Sequence, residues 1–149
     1  MSLPSFDPAD YAAQLAAKVD RYRRDFAAFD LPEPAVFESA PLAYRLRAEF
    51  RMWHDGPRVD YAMFDPAEPK RVVTLDAFPP AAAPIAAAMP RLRERLMASE
   101  ALKRKIFQIE FLATLSGELM ISLVYHRPLD AAWQAAAAEL AADLDAQII

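Results

Sequence analysis

Residues 44–56 read YRLRAEFRMWHDG and decide the fold, because hydrophobic and polar side chains alternate strictly along them. One side of the segment carries Tyr44, Leu46, Ala48, Phe50 and Met52, and the other carries Arg45, Arg47, Glu49, Arg51 and Trp53. A period of two residues is typical of a β-strand that buries one face and exposes the other. The segment therefore predicts a strand with a core on one side and a mainly charged surface on the other.

The charged face of this strand has two interpretations. Arg45, Arg47 and Arg51 stand in one row, and guanidinium groups suit phosphate oxygens and the planes of unstacked bases. The row is thus a candidate RNA-binding surface. The residues alone favour a solvated face whose arginines pair with carboxylates such as Glu49 and Asp60, because charge is common on an exposed sheet face.

Composition limits the class of protein. The chain has 149 residues and is 55% hydrophobic, which suits one folded domain with a real core. It carries 17 basic and 21 acidic residues, a net charge of −4, whereas nucleic-acid-binding domains are ordinarily basic. An RNA site must therefore be a local patch, for which the further candidates are the run 103–105 and Arg127.

Several kinds of site are excluded by missing residue types. There is no cysteine, so no thiol nucleophile, disulfide or cysteine-ligated metal can form within these residues. The only glycines are Gly56 and Gly117, too few for a dinucleotide-binding or phosphate-binding loop. Two histidines 72 positions apart do not indicate a metal site. The sequence contains no complete active site, and we expect the chain alone to be inactive and to bind no cofactor.

Helical spacing marks the start, the middle and the end of the chain. Asp7 and Pro8 begin a first helix, whose apolar stripe predicts burial in the core and consists of Tyr11, Leu15, Val19, Tyr22, Phe26 and Phe29. A second helix spans about 85–96, where Pro90 predicts a kink or break. Pro128 and Asp130 open a last helix with its stripe at 133–144.

Strands fill the intervals between these helices. The predicted strands lie at 43–54, 58–64, 70–75, 106–115 and 119–126. Short connections at 55–57 and 116–118 indicate a three-stranded meander and a hairpin. We therefore predict an α+β fold in which an antiparallel sheet of about five strands packs with three helices. Residues 147–149 (QII) begin a new apolar run after the last helix, which suggests a further strand and a longer protein.

Three segments together resemble the bacterial tRNA (uracil-5-)-methyltransferases, which make 5-methyluridine in the T loop of transfer RNA. They are YRLRAEFRMWHDG at 44–56, KIFQIEFLATLS at 105–116 and ELMISLVYHRPLDAAW at 118–133, and DYAAQLAAKV at 10–19 is also similar. The resemblance covers nearly the whole chain and corresponds to the amino-terminal, RNA-recognising part of that enzyme. It implies that 1–149 form a single α+β RNA-recognition domain, with the S-adenosylmethionine-binding catalytic domain following.

The resemblance also implies a chemistry for the full-length enzyme. A cysteine adds to C6 of uracil, S-adenosylmethionine donates the methyl group, and a glutamate-type base removes the C5 proton. The cofactor sits in a glycine-rich loop of a doubly wound domain. None of these parts occurs here, so this chain is expected to bind tRNA without methylating it. The lack of cysteines also favours the transfer-RNA branch over the ribosomal branch, which is expected to carry an iron–sulfur cysteine cluster.

Within the resembling segments, Arg51 is the first candidate for contact with the T arm, and Arg45 and Arg47 share its face. Phe107 and His126 match positions where an aromatic ring and an imidazole are expected to meet the T loop. Stacking lost when the target uridine is extruded can be replaced by such side chains. Burial is a rival for Phe107, because alternation places it with Ile109 and Phe111.

The expected partner is the T arm of tRNA, with no DNA and no membrane. A cytoplasmic location is expected, since no export leader or apolar run of about 20 residues occurs. The alternative is a non-catalytic α+β module whose strand faces bind a protein. Residues 103–105 either follow RNA phosphates non-specifically or form a solvated charge run, and Trp53 and His54 are expected to pack against the neighbouring hairpin.

Overall fold

A computed structural model of the chain describes residues 7–65 and 68–149. After a 3-10 turn at Pro8–Asp10, the elements are α1 (Tyr11–Asp25), β1 (Arg47–Asp55), β2 (Arg58–Phe64), β3 (Val72–Leu75), α2 (Ala83–Ala98), α3 (Glu100–Lys103), β4 (Ile106–Ala113), β5 (Leu119–Tyr125), α4 (Ala131–Leu144) and β6 (Gln147–Ile148). No helix in the described part of the chain is both long and apolar enough to cross a membrane.

The strands form one six-stranded sheet in the order β3-β2-β1-β4-β5-β6. All neighbouring strands are antiparallel except β5 and β6, which run parallel with Ile121 opposite Ile148. The predicted α+β class, the meander and the hairpin are confirmed. The apolar run at the end of the sequence forms the short sixth strand.

The core lies on one face of this sheet, beneath α2 and α4. Phe50 of the central strand β1 packs edge-on against Tyr61, Phe78 and Phe111, with ring centroids 5.4, 5.3 and 6.2 Å away. The Tyr61 hydroxyl donates to the Met89 carbonyl of α2 at 2.8 Å, and burial raises the Tyr61 pKa above its ordinary value. Every second residue of β1 points away from this core, so the other face of the strand is exposed.

The helix predicted near the amino terminus is present, but the prediction that its apolar stripe is buried is wrong. No residue of α1 is buried, and Phe29 just beyond it is 65% exposed. Among the described residues, the segment 33–39 returns along α1, where Arg23 pairs with Glu33 and the Ser39 amide donates to the Tyr11 hydroxyl at 2.9 Å. Periodicity predicted an amphipathic helix correctly, but it carries no information about what covers the apolar side.

Other boundaries differ from the predictions for local reasons. Strand β1 begins at Arg47, and Arg45 before it forms only an isolated bridge to Ala81. Strand β4 ends at Ala113, so that Leu115 lies in the turn and is 94% exposed. Helix α2 continues through Pro90 without a break. Helix α3 has four residues, too few for a helical hydrophobic period to indicate it. Its cap is Ser99, whose Oγ accepts from the Leu102 amide.

Helix α4 begins where the sequence predicts. The Asp130 carboxylate accepts from the Trp133 amide at 2.9 Å, and this hydrogen bond lowers the Asp130 pKa below its ordinary value. A carboxyl group with a lowered pKa stabilises the fold above its unfolded pKa and loses that effect as the pH falls through the folded value. The cap therefore stabilises the first turn of α4 at neutral pH and loses that effect in acid.

Truncating the central core aromatic should destabilise the fold strongly. Phe50→Ala is expected to lower the free energy of unfolding by about 3–5 kcal/mol, because it leaves a cavity among three rings. Urea denaturation monitored by circular dichroism measures the change. Phe37→Ala is the matched control, since Phe37 is 90% exposed and its removal should change stability by less than about 0.5 kcal/mol. Equal effects for the two variants would contradict the assigned core.

Candidate nucleic-acid interface

Three side chains that are distant in sequence form one stack on the exposed side of the sheet. The Arg51 guanidinium carbon lies 3.8 Å from the centroid of the Phe107 ring. The His126 imidazole stacks on the same phenyl ring, with the centroids 4.0 Å apart and the planes inclined by 28°. Phe107 is half-buried, whereas Arg51 and His126 are exposed, so the stack presents a guanidinium and an imidazole to solvent.

The position of Phe107 depends on a β-bulge. Ile106 pairs with Tyr125 and Gln108 pairs with Val124, which leaves Phe107 as an extra residue in β4. An extra residue reverses the alternation beyond it, so that Ile106 and Ile109 both enter the core while Phe107 stays outside. The expectation that Phe107 shares a face with Ile109 and Phe111 is wrong for this reason, and full core burial of Phe107 does not occur.

Two hydrogen bonds hold the backbone at the bulge. Lys105 has φ +58°, a left-handed conformation, and its carbonyl accepts from the His126 amide at 3.1 Å. The His54 Nε2 group at the end of β1 donates to the Ile106 carbonyl at 2.8 Å. His126 therefore contributes its backbone to the bulge and its ring to the stack. These contacts connect β1, β4 and β5 at the point where the stack forms.

The charges around the stack are distributed unequally. Arg51 makes no ion pair within the described residues. Toward the start of β1, Glu49 lies directly opposite Glu110, an unfavourable arrangement for like charges. Arg47 offsets it, since its guanidinium lies 3.3 Å from Glu110 and 4.0 Å from Glu49. The carboxylate pairing expected for the arginines thus holds for Arg47 and not for Arg51.

The remaining candidate cations have different surroundings. Arg45 lies outside the row, with its guanidinium 6.0 Å from the ring of Phe78. The Arg127 side chain is only 6% exposed and donates to the carbonyls of Ala101 and Arg104, so it closes the carboxyl end of α3. Arg127 is consequently a structural residue and not part of an exposed basic patch.

Trp53 follows Arg51 on the same face of β1 and is 44% exposed. Its cross-strand neighbour is Asp60 of β2. The expected packing of Trp53 against the hairpin is therefore incomplete, and the indole adds an aromatic surface beside the stack. Among the described residues no group of acidic and histidine side chains has the arrangement needed to hold a metal ion.

A sequence model of the tRNA (uracil-5-)-methyltransferases matches residues 10–149. The chain belongs to this family. It is 72% identical over 149 residues to the tRNA/tmRNA (uracil-C(5))-methyltransferase of Azoarcus sp. (strain BH72), and 69% identical over 149 residues to the protein of the same name from Aromatoleum aromaticum. The protein of that name from Dechloromonas aromatica is 56% identical over 149 residues.

These alignments include all of this chain but only part of each relative. The chain spans 41%, 40% and 41% of the three proteins, respectively. The resemblance found in the sequence is thus confirmed at the level of the family. Within the family segment, the three leading site candidates, Arg51, Phe107 and His126, come together in space, whereas Arg45 and Arg47 are engaged with other groups.

His54 is a site residue that sequence reasoning assigned to packing alone. A weak signal for the bulge was present, because Ile106 and Ile109 are separated by three positions while the later core residues of β4 are separated by two. Such a change of spacing is typical of a bulge. It does not identify His54, whose role depends on how β1 and β4 are paired.

The contact between Arg51 and Phe107 should be measurable as a coupling energy. A double-mutant cycle with Arg51→Gln and Phe107→Leu is expected to give about 0.5–1 kcal/mol of coupling in the free energy of unfolding, as for an exposed cation–π pair. The control cycle combines Arg21→Gln with Phe107→Leu. Arg21 lies in α1 and pairs with Asp25. Coupling of the same size in the control cycle would contradict the stack.

Removing the His54 side chain should loosen the bulge. His54→Ala deletes a hydrogen bond to the Ile106 carbonyl, and we expect a loss of about 1 kcal/mol of stability. Nuclear magnetic resonance should also show smaller ring-current shifts at the His126 imidazole, because Phe107 is no longer held against it. His54→Gln, which retains a donor, should preserve more of the shift. Unchanged His126 resonances in His54→Ala would exclude the positioning role.

Proposed function

We propose that this chain is the tRNA-recognising part of an S-adenosylmethionine-dependent tRNA uracil-C5-methyltransferase and that it binds the T arm. The observation that carries the proposal is the stack of Arg51, Phe107 and His126 on a sheet face left open by the helices. Relatives named tRNA/tmRNA (uracil-C(5))-methyltransferase support it, since they align along the whole chain. A cytoplasmic location belongs to the same proposal.

The stack suits the physical problem that such an enzyme faces. C5 of a stacked or paired uracil cannot be reached inside a folded loop, so the nucleotide must be swung out before it reacts. Swinging it out removes stacking energy that flat side chains can replace, at about 1–3 kcal/mol per base. The exposed His126 and Arg51 planes, supported by Phe107, offer such surfaces to a loop base.

The division of labour follows from the residue types. Methyl transfer to C5 is proposed to use S-adenosylmethionine and a cysteine that belong to the remainder of a full-length enzyme, because this chain contains no cysteine. The chain itself supplies binding and orientation of the RNA and is proposed to be inactive alone. Arg47 belongs to the proposed surface as a secondary contact, and Arg45, which lies outside the row, is proposed as an RNA contact at its margin. Arg47 must first leave Glu110, so its effect should be smaller than that of Arg51.

A protein-binding module is the competing function, and exposed apolar side chains on the same face favour it. Trp53, Leu112 and Val124 are 44%, 44% and 38% exposed. A protein partner would contact their apolar surface and would tolerate replacement of Phe107 by another apolar side chain. A nucleobase requires the flat imidazole and guanidinium planes that Phe107 supports, so Phe107→Leu distinguishes the two functions.

Binding of a T-arm hairpin should depend on the stack. In fluorescence anisotropy, the native hairpin is expected to bind more tightly than one with a scrambled loop of equal length. Phe107→Leu should weaken binding about 5- to 150-fold, equivalent to the stacking energy of one base. Arg51→Gln should reduce the slope of log K against log salt by about 0.7–0.9, the value for one phosphate contact.

Two controls accompany these variants. Phe37→Ala removes an exposed aromatic ring outside the sheet, and Arg21→Gln removes an arginine of α1, so both should bind the hairpin like the unaltered chain. Equal affinity for the native and scrambled loops would reduce the surface to a generic basic patch. Full affinity of Phe107→Leu, together with apolar binding of a protein, would favour the competing function.

A further inference from the structure

Lys105 has a left-handed backbone conformation and an exposed positive charge, and the fold requires only the first of them. Its φ of +58° lies in the left-handed region, where glycine fits without strain and a lysine does not. The conformation itself is needed, since it directs the Lys105 carbonyl to the His126 amide at the bulge. Ala43 and Asp145 share this conformation, so positive φ does not mark a site by itself, but of the three only Lys105 is hydrogen-bonded to a residue of the stack.

Lys105 differs from its two neighbours in the run 103–105 in how its charge is paired. Lys103 pairs with Glu100 at 3.2 Å, and Arg104 pairs with Asp130 at 3.7 Å. Lys105 is exposed and has no ion-pair partner in the part of the chain that the structure describes. Of these three adjacent cations, only the one beside the stack is therefore available to an anion from outside.

The two flanks of the stack have opposite electrostatic character. Glu49 and Glu110 lie on the flank toward the start of β1, where Arg47 offsets only one of the two negative charges. Lys105 lies on the opposite flank, two residues before Phe107, where its carbonyl accepts from the His126 amide. A polyanion on the stack is repelled from the first flank and attracted to the second.

We propose that Lys105 binds the backbone phosphate of the nucleotide whose base stacks on the exposed His126 imidazole. This inference rests on the proposed function and adds the direction in which the RNA strand leaves the stack. The ammonium group is a compact point charge that suits a single phosphate oxygen. The strained backbone of Lys105 thus serves the bulge, while its side chain serves the RNA.

Replacing Lys105 with glycine should separate stability from binding. Lys105→Gly relieves the left-handed strain, so its melting temperature should stay within about 2 °C of the unaltered chain or rise. Hairpin affinity should fall about five- to eightfold at 0.1 M salt, with a decrease of about 0.7–0.9 in the salt slope, as for one lost phosphate contact. Lys105→Gln should weaken binding equally without raising the melting temperature.

Lys70→Gly is the matched control. Lys70 precedes β3 at the opposite end of the sheet and is not among the residues with positive φ. The same substitution there removes the same charge but relieves no strain, so we expect a lower melting temperature and unchanged hairpin affinity.

The possible results separate the two proposals. Suppose that the unaltered chain binds the hairpin and that Phe107→Leu weakens this binding. If Lys105→Gly and Lys105→Gln then keep full affinity and the full salt slope, the assignment of Lys105 is overturned and that of the stack remains. If the unaltered chain has no preference for the native loop, both proposals are overturned. If Lys105→Gly and Lys70→Gly weaken binding equally, the contribution of Lys105 is general charge and the assignment fails.

Discussion

A single extra residue in β4 is the constraint on which the arrangement of the exposed face depends. With regular pairing, Phe107 would point into the core and Ile106 would face solvent. The bulge exchanges them, which fills the core with an isoleucine and leaves a phenyl ring outside. Arg51 and His126 then contact that ring from β1 and from the end of β5. The core and the candidate site are consequently built by the same irregularity.

The acidic balance of the chain is compatible with a local site for an anion. Most of the arginines near the sheet are engaged, as Arg93 is with Asp76 and Asp60 and as Arg95 is with Asp143. Ion pairs of this kind contribute little to stability at an exposed surface, but they do neutralise the cations involved. Net charge therefore describes this surface poorly, and the few cations left without carboxylates determine where a polyanion can bind.

The predictable features were those encoded locally. Alternation and turn residues predicted the observed bounds of β2, 58–64. Asp7 and Asp130, which were predicted to begin helices, each accept a hydrogen bond from a backbone amide there. Burial of α1 was predicted wrongly, because a stripe shows that a helix is amphipathic and not which surface covers it. The face of Phe107 was also predicted wrongly, since it depends on pairing with β5, which lies far along the sequence.

The site was predictable only as separate residues. Arg51, Phe107 and His126 were named through the resemblance to a family, and alternation alone favoured ion pairing for the arginines. Their mutual contact depends on the register of three strands, which no single segment encodes. His54 and the left-handed backbone of Lys105 escaped prediction for the same reason.

The two tryptophans differ in their exposure to water, so their fluorescence should report on two different parts of the molecule. Trp133 is 9% exposed and lies edge-on to Tyr125, with centroids 5.8 Å apart, whereas Trp53 is 44% exposed beside Arg51. An indole shielded from water emits at shorter wavelength than one in contact with it. The intrinsic emission is therefore expected to have a short-wavelength component that follows unfolding and a long-wavelength component that responds to any ligand on the sheet face, and neither requires an added dye.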